Sequence, residues 1–125
     1  MFSTLVQVAL GGAIGASARF LTGVAVLRIT GPGFPLGVMV ANILGSFVMG
    51  AFVVWAANRS MTHLAPFVVT GILGGYTTFS AFSLETMTMI ERGQTGSAAL
   101  YMILSVGGAL GAIMLGMMTA REILA

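Results

Sequence analysis

Apolar residues run along this chain in four long blocks, separated by short polar connections. The blocks span about 4–27, 36–57, 64–90 and 96–120. Each meets the length of roughly 17–25 residues that a helix needs to cross a bilayer. Charge is nearly absent inside them: Arg19 is the one charge of the first and Glu85 of the third, while the second and fourth carry none. The pattern predicts an all-α membrane protein, one unit over 1–125, with four transmembrane helices. The first block lacks the basic flank of a cleaved signal and its apolar run is too long for one, so it reads as a retained helix. Gly31, Pro32, Gly33 and Pro35 break the chain before the second helix.

The third block departs from the pattern. Residues 71–86 read Gly-Ile-Leu-Gly-Gly-Tyr-Thr-Thr-Phe-Ser-Ala-Phe-Ser-Leu-Glu-Thr, a glycine- and hydroxyl-rich stretch at membrane depth. Non-helical backbone is tolerated there only where protein buries it or a watery cavity meets it. The Gly74–Thr78 stretch is expected to interrupt the helix, because glycine weakens it and threonine hydroxyls compete for backbone bonds. Thr78 is placed to cap a second half-helix beginning near Phe79. A broken membrane helix exposes carbonyls on one half and N–H groups on the other, which suit cations and anions respectively.

Other polar exceptions gather around this stretch. Asn42 is the one strongly polar side chain of the second helix, and it must face a partner or a pore. Its two N–H donors suit an anion, and interhelical bonding suits it as well. Phe79 and Phe82 share a helix face beside a stripe of Ser80 and Ser83. The rings read either as packing or as positive edges for an anion. Tyr101 and Ser105, four apart, make one polar strip on the fourth helix. Arg19 either snorkels or draws anions into an entry vestibule, and Glu85 is suited to pair with a donor that steadies the broken helix. His63 falls in a loop and is expected to be solvated.

Composition narrows the classes. Charged residues make up 6% of the chain and hydrophobic ones 58%, with mean hydropathy +1.05; soluble proteins carry about 25% charge. With no lysine and five arginines there is no basic patch for nucleic acid, and with no cysteine there is no thiol chemistry. No paired carboxylates, metal-ligand cluster or nucleophile beside a base suggests an enzyme. Arg59 and Arg121 fall on one side of the membrane, Arg28 and Arg92 on the other, so the charges give no orientation. Such a chain is able to insert both ways up. Small residues four apart (Gly11 and Gly15; Gly37, Ala41 and Gly45; Gly108, Ala112 and Gly116) mark close helix contacts. These seams and the polar third block together favour an oligomer, of which a homodimer is the smallest.

Taken together these residues resemble the Fluc (CrcB) family of small fluoride channels. The resemblance lies in Gly-Gly-Ala-Ile-Gly-Ala-Ser-Ala-Arg at 11–19, Gly-Val-Met-Val-Ala-Asn-Ile-Leu-Gly-Ser-Phe at 37–47, the stretch 71–85, and the Tyr101/Ser105 pair. It covers essentially the whole chain, and the third piece is the most specific. It implies an antiparallel, dual-topology homodimer in a bacterial cytoplasmic membrane, with two fluoride pathways each lined by both chains. Asn42 would donate to fluoride, Phe79 and Phe82 would present ring edges, and Thr78, Ser80, Ser83, Tyr101 and Ser105 would complete the polar track. It also implies a central Na+ held by backbone carbonyls, by position those of Gly74 and Thr77. Ala81 and Tyr76 stand where many family members carry threonine and leucine. A small multidrug resistance-type exporter is the alternative, but it needs a glutamate in the first helix, where this chain has Arg19. A scaffold subunit would leave Asn42, Phe79 and Phe82 without a purpose.

Overall fold

The computed structural model describes all 125 residues. Helix α1 spans Phe2–Thr30 and α2 spans Leu36–Asn58. A 3-10 turn at Thr62–Leu64 leads into a π-helical stretch at Pro66–Leu73 and a single turn, α3, at Gly74–Tyr76. Helix α4 spans Phe79–Glu91 and α5 spans Thr95–Leu124. The segment Thr62–Glu91 forms the third of four crossings long and apolar enough to span a membrane. The protein is an all-helical, multi-pass membrane protein with a break in its third crossing.

The helices run a few residues past the apolar blocks and stop where the backbone turns left-handed. Gly31 follows α1 at φ 77°, and Gly93 follows α4 at φ 78°, where a side chain would strain the turn. His63 lies exposed in the 3-10 turn between the second and third crossings.

Packing in lipid needs close backbone approach, because lipid tails are as apolar as the helices. Helix α1 lies along the π-helical stretch and α3, while α2 lies along α5. Glycines make both approaches possible. A Cβ at Gly11 would stand 2.5 Å from the Phe67 carbonyl oxygen, and one at Gly75 would stand 2.8 Å from that of Gly12. At Gly15 and Gly116 it would overlap the carbonyls of Ile72 and Phe47. The small-residue seams are therefore filled inside a single chain. They do not by themselves call for a second copy, as the spacing had suggested.

Only 18 of 125 residues are buried, and Tyr101 is the one large side chain fully enclosed. Large apolar side chains such as Phe20, Ile103 and Leu110 point outward instead, as a lipid-facing surface requires. The π-helical opening of the third crossing has no mark in the sequence: Val68, Val69 and Ile72 fit an ordinary helix equally well. Such wide turns are uncommon, and they tend to occur where function has shaped the backbone.

Candidate functional site

The break in the third crossing lies at Thr77 and Thr78. Both are extended, with φ and ψ of −88° and 154° for Thr77 and of −151° and 122° for Thr78. The expected interruption is present, one step later than the glycines suggested. Gly74 is still helical at φ −64° and ψ −36°. Gly75 serves α1's approach, at Gly12 and Ala16, while Gly74 does not touch α1; the threonines end the helix. Thr78 then caps α4, with its Oγ1 accepting from the Ala81 N–H at 3.2 Å and lying 3.1 Å from Ser80 Oγ.

Three side chains hold this break from neighbouring helices. Asn42 clasps Thr78 at both ends: its Nδ2 donates to the Thr78 carbonyl at 3.0 Å and its Oδ1 accepts the Thr78 N–H at 2.7 Å. The amide orientation is forced, because a backbone N–H can only donate. Arg19 Nε donates to the Gly75 carbonyl at 3.1 Å. Thr22 Oγ1 lies 2.7 Å from the buried Tyr76 hydroxyl. Thr77 Oγ1 turns back onto the Leu73 carbonyl, while the Thr77 carbonyl itself accepts no hydrogen bond within the chain.

Beside the break opens a cavity of about 320 Å³, lined by Asn42, Ser46, Thr78, Phe79, Phe82 and Ser105 among others. Its polar groups are donors or hydroxyls. Asn42 Nδ2 carries two N–H bonds and spends one on Thr78, so the second remains for a guest. Ser105 Oγ is buried without a partner. The positive end of α4's macrodipole lies at Thr78 and Phe79 on the wall. No carboxylate lines this space. The arrangement is chemically suited to a small anion.

An aromatic column leads away from it. Phe79 and Phe82 have ring centroids 5.5 Å apart at an interplanar angle of 46°. Phe82 stacks on Tyr101 at 5.5 Å, and Phe34 meets Tyr101 edge-on at 5.6 Å. The Tyr101 hydroxyl donates to Glu85 Oε2 at 2.6 Å, tying α4 to α5. Phe79 is 77% exposed, so one wall of the site opens outward from the single chain.

Of the residues singled out from sequence, Asn42, Thr78, Phe79, Phe82 and Ser105 line one cavity, with Thr77 beside them. Tyr101 joins through its stack on Phe82, and Ser80 through Thr78. Ser83 bonds back to the Phe79 carbonyl at 3.0 Å, and Arg19 reaches Gly75 on the far side of the break. Gly74 is exposed in the turn before it. Sequence reasoning passed over Ser46 and Thr22. Ser46 stands four residues after Asn42 on the same face of α2, a spacing that identifies it. Thr22 has the weaker signal of lying three residues after Arg19.

A family model described as "CrcB-like protein, Camphor Resistance (CrcB)" matches residues 6–117. Among similar proteins, a "Fluoride-specific ion channel FluC" of Ruegeria sp. (strain TM1040) is 63% identical over 125 residues, covering 99% of each chain. One of the same name from Roseobacter denitrificans is 58% identical over 122 residues, covering 96% of this chain and 97% of its own. Another, from Paracoccus denitrificans, is 47% identical over 125 residues, covering all of both chains.

Proposed function

This chain belongs to the CrcB-like family, and from that premise we propose that it is a passive, fluoride-selective channel. It lets cytoplasmic fluoride leave a bacterial cell down its electrochemical gradient and so protects against fluoride toxicity. The observation that carries the reading is the cavity beside the break, where Asn42, Ser105 and the start of α4 bring donors to a space that Phe79 and Phe82 also line. The relatives' printed names point to the same ion.

The mechanism follows from hydration. Fluoride is small and holds its water tightly, so a pore must replace that water with donors at close range. The second Asn42 N–H is a donor for this, the Ser105 hydroxyl stands buried and unpartnered in the same cavity's lining, and the α4 N-terminus adds a positive field. The positive edges of Phe79 and Phe82 contribute attraction without a full charge, which would trap the anion. Conduction needs binding weak enough to release. Thr78, Ser80, Ser83 and Tyr101 continue the polar track, and Arg19 favours anions near the break.

The functional unit is an antiparallel homodimer with two pathways, each lined by both copies. The evenly split arginines favour it, and so does the open side of the cavity at Phe79. A Na+ ion would be held at the break by the carbonyls of Gly74 and Thr77, and the Thr77 carbonyl accepts no hydrogen bond within the chain, which leaves it available. Bound there, the ion would supply a fixed positive charge.

The test is fluoride efflux from liposomes holding the purified protein, followed with a fluoride electrode. Fast fluoride release, negligible chloride release and no need for a pH gradient are expected. Fluoride movement that requires a pH gradient would make the protein an exchanger. A single orientation by cross-linking in membranes would remove the antiparallel arrangement.

A further inference from the structure

A second cavity, of about 530 Å³, opens beyond the Tyr101–Glu85 bond toward the end of α4. Its polar lining is Glu85, Thr88, Arg92, Gln94 and Ser97. Two helix stripes lead into it from the first cavity. On α5, Ser105, Tyr101 and Ser97 succeed one another at four-residue steps, which keeps them on one face. On α4, Phe82, Glu85, Thr88 or Met89, and Arg92 follow at three- and four-residue steps. The Phe82–Tyr101 stack stands between the two spaces, with Tyr101 bonded to Glu85 at its far edge.

From the alignment of these two stripes, which meet at the enclosed Tyr101, we infer that the second cavity is a mouth of the anion pathway, and that Arg92 is the residue that draws fluoride into it. The inference deepens the channel reading and rests on it. The mouth poses an electrostatic problem, because the Glu85 carboxyl lies in its wall and offers an anion nothing but repulsion or a poor partner. Arg92, seven residues further along the same face, puts a full positive charge at the opening. A guanidinium keeps its proton under all working conditions. Arg92 attracts ions before they reach the dehydrating donors, and it acts through space, with no bond to the ion required. Arg28, near the end of α1 on the same side of the bundle as the end of α4, lines neither cavity, which makes it a matched comparison. In an antiparallel dimer each face of the membrane has such a mouth.

The experiment measures fluoride efflux from liposomes at low fluoride, in media of low and high ionic strength set with an impermeant salt. The probes are Arg92→Gln, Arg92→Glu and Arg28→Glu. Charge reversal at Arg92 should slow efflux about five- to ten-fold at ~0.01 M salt, where the screening length is ~30 Å. The deficit should nearly vanish near 1 M, where that length is ~3 Å. Arg92→Gln should fall between, and Arg28→Glu, at a residue that lines neither cavity, should slow efflux less than Arg92→Glu does at low salt. A salt-independent loss in Arg92→Glu would assign Arg92 to packing and overturn the inference, as would equal rates for Arg92→Glu and the unaltered protein at both strengths. Absence of fluoride flux in the unaltered protein would instead overturn the channel reading on which the inference stands.

Discussion

Replacing Asn42 with alanine removes both hydrogen bonds that hold Thr78 in its extended conformation. Side-chain hydrogen bonds between membrane helices average about 0.6 kcal/mol and reach about 1.7 kcal/mol. Two of them acting on one residue are therefore worth about 1–3 kcal/mol. At 1.4 kcal/mol per factor of ten, the released break should become roughly 5- to 150-fold more populated. The same change deletes the N–H facing the cavity. Asn42→Ala should thus lower thermal stability in detergent and cut fluoride flux together. Asn42→Asp keeps an acceptor for the Thr78 N–H but sets its second carboxylate oxygen against the Thr78 carbonyl and puts negative charge in the anion's place. It should melt no higher than Asn42→Ala and conduct least of all. Scanning calorimetry or fluorescence-detected melting beside liposome efflux reads both. An Asn42→Asp protein that conducts normally would refute the donor role, and an Asn42→Ala protein of unchanged melting would refute the clasp.

Three further outcomes follow from the packing. Phe79→Ile and Phe82→Ile should reduce flux by at least about ten-fold, since an aliphatic chain has no positive edge to offer; size-exclusion chromatography should show the assembly unchanged, and native flux would mark the rings as packing alone. Tyr101→Phe keeps the stack on Phe82 but loses the 2.6 Å bond to Glu85, so it should cost about 0.5–2 kcal/mol in melting and slow flux, while an unaltered melt and rate would show the bond to be idle. Gly15→Ala drives a methyl into the Ile72 carbonyl and should prevent stable folding, whereas Gly107→Ala meets nothing within 4 Å inside the chain; if Gly107→Ala breaks the dimer in cross-linking while the monomer still melts normally, that face is where two copies meet.

What the sequence by itself determined follows from the solvent. A bilayer demands long apolar helices and leaves strongly polar groups few places outside a site, so four long apolar blocks reveal the crossings and the strongly polar exceptions point to the site. Asn42, Thr78, Phe79, Phe82 and Ser105 were legible for that reason, and all five line one cavity. Thr78's role as a cap was equally legible, because capping is local chemistry.

Tertiary structure decided what depends on partners distant in the chain. That the backbone opens at Thr77 and Thr78, with Gly74 and Gly75 still helical, goes with Asn42 arriving from another helix and with α1 needing the space at Gly75. The glycine spacing announced close contacts without saying whose, and the seams proved to close on the same chain. The π-helical stretch lies along α1, and Arg19's bond to Gly75 joins α1 to the same crossing, so both involve a partner distant in the chain. Local sequence sets which conformations are cheap; only the neighbouring helix selects among them.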